Sequence, residues 1–157
     1  MKRIVLLAGI AVFFIALLVW RSLPNQVLVR HTHAVVDLID MGKPSGLGIM
    51  DMRAMGKLVA EEIDIVTDFM DDEVTTATRG QVEMGYRWIA ENAVRSDFKL
   101  DEIKDIRIDG DSASVKTRIT ARLELKDIRM LDGAYAAEFI WRKDDKGDWR
   151  LAELVWR

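Results

Sequence analysis

The chain has no cysteine and only two prolines and two histidines among its 157 residues. Without cysteine there are no disulfide bonds, no thiolate zinc sites, no thiol catalysis and no lipid attachment through cysteine. With two prolines, ten glycines and no internal period, the chain also lacks the material of a linker array or a solenoid. Half of the residues are hydrophobic and 31% are charged, which is typical of one packed domain.

Basic residues are in a minority outside the N-terminal segment. Lys2, Arg3 and Arg21 lie in a segment without any acidic residue, and the rest of the chain has 20 basic residues against 26 acidic ones. A nucleic-acid-binding protein needs a basic surface that neutralises phosphates. We therefore expect no nucleic-acid partner.

One long apolar run lies near the N-terminus. Residues 4–20 read IVLLAGIAVFFIALLVW and contain no charged side chain. As a helix these residues span about 25 Å, close to the roughly 30 Å of a hydrocarbon core, and the flanking basic side chains can snorkel to the interface. The sequence therefore predicts a membrane as a partner of this segment, with a transmembrane signal anchor at residues 1–22 and a globular domain at residues 23–157.

A cleaved signal peptide is the alternative interpretation of the same run. Cleavage requires small residues before the cut, whereas the run ends in Val19 and Trp20 and is followed by Arg21, which favours an uncleaved anchor. The basic residues that precede the run predict a cytoplasmic N-terminus. The domain is then expected outside the cytoplasm, in the periplasm of a bacterium with the anchor in its inner membrane.

Beyond Pro24 the apolar residues recur at helical spacing. This spacing predicts three amphipathic helices. The predicted helices cover residues 25–42, 47–61 and 79–95. Asn25 is a candidate cap of the first helix and Thr78 of the third.

Beyond Lys99 the apolar period shortens to two, which is typical of strands with one buried face. Asp109-Gly110 and the polar loop at residues 144–148 predict hairpin turns. The predicted strands cover residues 103–108, 114–125, 133–143 and 148–156, with a short edge strand at residues 63–68. Three helices before a four-stranded antiparallel meander indicate an α+β domain, in which helices cover one face of a curved sheet.

The end of the chain resembles the nuclear transport factor 2-like superfamily. Residues 138–151, EFIWRKDDKGDWRL, combine a strand, a polar turn and a final strand led by tryptophan, and Arg79-Gly80 opens the third helix as in that superfamily. The resemblance covers residues 26–157 and implies a cone-shaped α+β domain. Ketosteroid isomerase and scytalone dehydratase share this fold and use polar groups at the base of an apolar cone, but no catalytic motif of theirs carries over to this chain.

Four residues are candidates for lining such a cone: His31, Tyr86, Tyr135 and Glu153. If the face of the last strand that carries Glu153 points inward, Glu153 is a carboxylate in apolar surroundings and the one catalytic candidate. The opposite face carries Leu154 and Trp156 and could point inward instead. In that case we expect Glu153 to pair with an arginine of a neighbouring strand.

The sequence predicts no metal ion and no other cofactor. Residues 61–73 hold the densest acidic tract, but they lack the spacing of a calcium-binding EF-hand loop. His31 and His33 are two residues apart in a predicted helix and therefore point in nearly opposite directions.

A basic stripe on the strand at residues 114–125 is a candidate docking surface for an acidic partner or an anionic lipid headgroup. The stripe consists of Lys116, Arg118 and Arg122. Together with the anchor, it favours a binding or assembly module without catalysis, whose partner is a membrane-complex protein or a second copy bound through the sheet. The alternative is a carrier of a small apolar ligand, or an isomerase-like or dehydratase-like enzyme, that uses the cone.

Overall fold

The computed structural model describes Trp20 and residues 22–42, 49–67, 74–126 and 128–157. The predicted anchor at residues 1–22 therefore lies outside the described residues, apart from Trp20 and Ser22. Within the described ranges, no helix has both the length and the apolar character needed to span a bilayer.

The three predicted helices are confirmed, although each is shorter than predicted. The helices are α1 (Pro24–Ile39), α2 (Ile49–Leu58) and α3 (Arg79–Asn92). The prediction that Asn25 caps α1 is wrong, because Leu23 occupies the N-cap position and provides no side-chain hydrogen bond. Pro24 begins α1 instead, since its fixed φ suits the first helical position. Thr78 caps α3 as predicted.

The described strands form one six-stranded mixed sheet in the order β2-β1-β6-β5-β4-β3. They are β1 (Val59–Thr67), β2 (Val74–Thr78), β3 (Ala93–Asp109), β4 (Ser112–Leu125), β5 (Ile128–Lys143) and β6 (Trp149–Trp156). Strands β3 to β6 pair as the predicted antiparallel meander. The predicted edge position of residues 63–68 is wrong, because β1 lies inside the sheet, antiparallel to β2 and parallel to β6.

Both predicted hairpins turn on a glycine in the left-handed region of backbone space. Gly110 has φ +58° and Gly147 has φ +82°, values that other residues rarely adopt. In the second turn the Asp144 carboxylate accepts hydrogen bonds from the backbone N–H groups of Lys146 and Asp148, at 3.0 and 2.9 Å. The backbone N–H of Asp148 is the main cause that lowers the pKa of Asp144.

The hydrophobic core lies between the helices and the inner face of the sheet. Leu28 of α1 packs in the same cluster as Val115 of β4 and as Phe139 and Trp141 of β5, and all four are almost inaccessible to solvent. In β4, buried and solvent-facing residues alternate over most of the strand, as its sequence predicts.

Candidate functional site

An apolar cavity of about 410 Å³ lies where the end of α1 and α3 meet the inner face of the sheet. Its described lining consists of eight aliphatic or methionine side chains, the aromatic rings of Phe98 and Trp156, and the residues Thr67 and Ser96. The volume lies within the range of about 300–1,000 Å³ that is typical of small-molecule sites. The cavity is therefore large enough for a small ligand.

Three hydrogen bonds connect the end of α1 and the residues after it to β3 beside this cavity. Gly42 and Ser96 exchange two backbone hydrogen bonds of 2.9 Å, and the Ser96 hydroxyl donates a third, of 2.7 Å, to the carbonyl oxygen of Ile39. Ile39 and Met41, which line the cavity, are held in place by this contact. The Ser96 hydroxyl thus already has an acceptor within the fold.

The wall of the cavity on the β6 side is aromatic. The Trp156 ring lies 5.5 Å from the Tyr135 ring and 6.2 Å from the Phe98 ring, between centroids. Leu154 and Trp156 line the cavity, so at the C-terminal end of β6 this is the face that points inward. None of the described lining residues is ionisable, and the described lining therefore offers no acid, base or charged group to a ligand.

The four candidate residues from the sequence are not among the described residues that line the cavity, although the Tyr135 ring packs against Trp156, which is. Tyr86 is buried against α1, where its hydroxyl donates to the carbonyl oxygen of Leu38 at 2.9 Å, and burial raises its pKa. The Tyr135 ring packs against Trp156, and its hydroxyl accepts a hydrogen bond from the backbone N–H of Asp132 at 3.2 Å. Glu153 is half-buried and pairs with Ile140 and Asp64 in the sheet ladder.

His31 lies in the middle of α1, about 12 Å along the helix axis from Ile39. Its ring packs against the Trp141 ring, with 5.6 Å between the ring centroids. Its Nδ1 atom is buried without a hydrogen-bond partner in the described part of the chain. Burial lowers the pKa of His31, and the positive charges of Arg30 and Arg150 lower it further. The surroundings thus favour the neutral imidazole.

The predicted docking stripe lies on β4 among carboxylates. Its basic residues are Lys116, Arg118 and Arg122. The Arg122 guanidinium binds the Glu124 carboxylate at 2.6 Å, and Lys116 Nζ lies 4.0 Å from Glu138 Oε2. Arg118 is exposed and lies opposite Glu102 of β3. The stripe is therefore part of a mixed-charge surface.

No group of three or more histidine, aspartate or glutamate side chains within the described ranges is arranged to hold a metal ion. The acidic tract at residues 61–73 begins in β1, where Asp64 accepts a hydrogen bond of 2.7 Å from the Thr76 hydroxyl of β2. The remainder of the tract beyond residue 67 lies outside the described residues.

Neither a protein-family model nor a curated protein matches the chain. Solved structures do match it. An NTF2-like protein from Cytophaga hutchinsonii shares 16% identity over 85% of this chain and 96% of its own, with a TM-score of 0.61. An NTF2-like superfamily protein from Salmonella enterica serovar Typhimurium shares 13% identity over 84% of this chain and 88% of its own, with a TM-score of 0.64. A ketosteroid isomerase-like protein from Erwinia carotovora shares 15% identity over 84% of this chain and 90% of its own, with a TM-score of 0.58.

The described domain therefore has the nuclear transport factor 2-like fold, which confirms this part of the resemblance. Identities of 13–16% establish a shared fold and no shared activity.

Proposed function

We propose that this protein is a membrane-anchored module that binds a small apolar molecule in its cone cavity and does not act on it chemically. The observation that carries the proposal is the lining of the cavity, in which the described side chains are apolar apart from Thr67 and Ser96. Apolar clefts with few polar groups are the usual form of small-molecule sites.

Binding without catalysis is favoured because proton transfer needs an acid or base within hydrogen-bond reach of the substrate. The four candidates that the sequence offers all have ionisable side chains, and none of them is among the described residues that line the cavity. The likeness to a ketosteroid isomerase-like protein concerns the fold, so it adds no catalytic residue to this chain.

The anchor is proposed from the apolar run at residues 4–20 and from the exposed side chains near its end. Trp20 and Leu23 are 57% and 46% exposed, large apolar side chains that the described domain leaves uncovered. Tryptophan at the end of an apolar run is typical of the membrane interface. Attachment at this point would hold the cavity close to the bilayer and to membrane partners.

Photolabelling of the full-length chain in lipid vesicles tests this function. The probe is an uncharged aryl diazirine, which inserts into apolar sites, and labelled peptides are mapped by mass spectrometry. We expect labels in the anchor and in peptides that carry Leu123 and Leu131, both of which line the cavity. Replacing Leu131→Trp fills part of the cavity and should reduce cavity labelling at least several-fold, while anchor labelling stays unchanged.

The matched control is Ile108→Trp, which adds the same indole at a site 39% exposed and outside the cavity lining. This variant should keep the wild-type labelling pattern. Cavity labelling that is equal in all three proteins, or that is absent from the wild type, would contradict ligand binding in the cone. Loss of the anchor label would contradict membrane insertion separately.

A further inference from the structure

We propose that the outward face of α3 is a self-association surface, through which two copies of the chain pair antiparallel about a twofold axis near Trp88. This surface is distinct from the cavity, although both use α3. Ile89 lines the cavity, whereas Trp88 points to solvent. The inference therefore goes beyond ligand binding and does not depend on it.

An uncharged stripe runs along the solvent-facing side of α3. Its members recur at positions i, i+3, i+4, i+7 and i+11, which lie on one side of a helix. They are Gln81, Met84, Gly85, Trp88 and Asn92, and all five are exposed. The opposite side carries the buried residues Tyr86 and Ala90. Since 31% of the residues of the chain are charged, five uncharged and exposed residues in one stripe form an unusually uncharged surface.

Two large apolar side chains lie next to each other in this stripe. Met84 is 65% exposed and Trp88 is 52% exposed, four residues apart and therefore on adjacent turns. Tryptophan is enriched among the residues that dominate interface energetics, and methionine adapts to irregular contacts. An adjacent exposed pair of this kind is what a partner surface would cover.

The stripe also contains a glycine, Gly85, at an exposed position in the interior of α3. Glycine in an exposed helix interior is less favourable than alanine. At Gly85 a Cβ atom would meet no atom of the described residues within 4 Å, so this part of the chain gives no steric reason for glycine. A second helix packed alongside does give a reason, because the missing side chain at Gly85 leaves room for a side chain of the partner helix.

Charge complementarity indicates that the second helix comes from another copy. Arg87 Nε lies 3.3 Å from Glu91 Oε1 along one flank of the stripe, and both side chains are more than half exposed. An isologous interface must be self-complementary. When α3 pairs with itself antiparallel and the axis passes near Trp88, Arg87 of one copy faces Glu91 of the other, and the two Trp88 rings meet.

Sedimentation velocity of the full-length chain in detergent tests this pairing. We expect a dimer whose dissociation constant rises at least tenfold in Trp88→Ala. Arg87→Glu and Glu91→Arg should each weaken the dimer similarly, because each places like charges across the axis. The double variant Arg87→Glu/Glu91→Arg should restore the dimer, since it exchanges both charges and leaves every pair opposite in sign.

Two further variants separate this surface from general effects on folding. Gly85→Ala should raise the unfolding temperature at protein concentrations where the chain is monomeric, because alanine favours the helix, and should weaken the dimer at higher concentrations. Arg107→Glu is the control, since it reverses another exposed arginine that is ion-paired with a carboxylate, Asp105, but lies on β3. It should leave the dimer unchanged.

A monomeric wild type, or a dimer that persists in Trp88→Ala and in both single reversals, would overturn the proposal. A dimer lost in Lys116→Glu and kept in the α3 variants would assign self-association to the sheet.

Discussion

At the scale of single residues, His31 links the stability of the domain to pH. Burial and the charges of Arg30 and Arg150 lower its pKa from the ordinary value of 6.5, so the folded domain favours neutral histidine more strongly than the unfolded chain does. The contribution of His31 to stability is therefore fully present above pH 6.5. It declines as the pH falls below that value, because the unfolded chain takes up the proton first.

We expect His31→Gln to lose less stability than the wild type between pH 7 and pH 5. The measurement is the urea midpoint of the full-length chain at several pH values. His33→Gln is the matched control, because His33 lies two residues away on the exposed side of α1. A pH slope that stays the same in His31→Gln, or that is lost in His33→Gln instead, would show that burial of His31 is not its cause.

At the scale of the elements, α3 depends on a capping box at its start. The Thr78 hydroxyl accepts a hydrogen bond from the backbone N–H of Gln81, and the Gln81 side chain accepts one from the Thr78 backbone N–H at 2.8 Å. We expect Thr78→Ala to lower the free energy of unfolding by about 1 kcal/mol, which is typical for loss of an N-cap. Thr78→Ser keeps the hydroxyl and should lose only a small part of this. Equal losses in both variants, measured by urea unfolding, would mean that the threonine methyl group matters and the cap does not.

Features of single elements could be predicted from the sequence where they depend on neighbouring residues. The cap at Thr78 and the turn at Gly110 depend on neighbouring residues alone, so their sequence signals were sufficient. The position of β1 depends on its parallel partner β6, roughly 90 residues further along the chain, and no local signal reports such a pairing. Residues 59–67 therefore gave no indication that they lie inside the sheet.

The inward face of β6 could not be predicted for a related reason. Both faces of that strand carry apolar residues, and the register of β5 with β6 shifts between Ile140 and Trp141. A bulge changes which side of a strand points inward. Trp149 and Leu151 enter the core before the irregularity, and Leu154 and Trp156 line the cavity after it. For this reason the sequence left open whether the face with Glu153 or the face with Leu154 and Trp156 points inward, and the structure places Leu154 and Trp156 in the cavity lining.

At the scale of the whole molecule, α1 separates the proposed anchor from the cavity. Its 16 residues span about 24 Å. Pro24, at one end, directly follows the exposed Leu23, and Ile39, at the other end, lines the cavity. A ligand in the cavity would therefore lie about one helix length from the end of the proposed anchor.

The absence of cysteine makes the membrane orientation directly measurable, because any introduced thiol is the only one in the chain. We expect Lys146→Cys, in the exposed turn between β5 and β6, to react with a membrane-impermeant maleimide in bacterial spheroplasts. Lys2→Cys should react only after the membrane is permeabilised, since the positive-inside rule places the N-terminus in the cytoplasm. The unmodified chain is the control and should not react at all.

Labelling of Lys2→Cys from outside together with protection of Lys146→Cys would reverse the proposed orientation. Release of Lys146→Cys into the soluble fraction, with the N-terminal residues missing, would instead mean that the apolar run is a cleaved signal peptide.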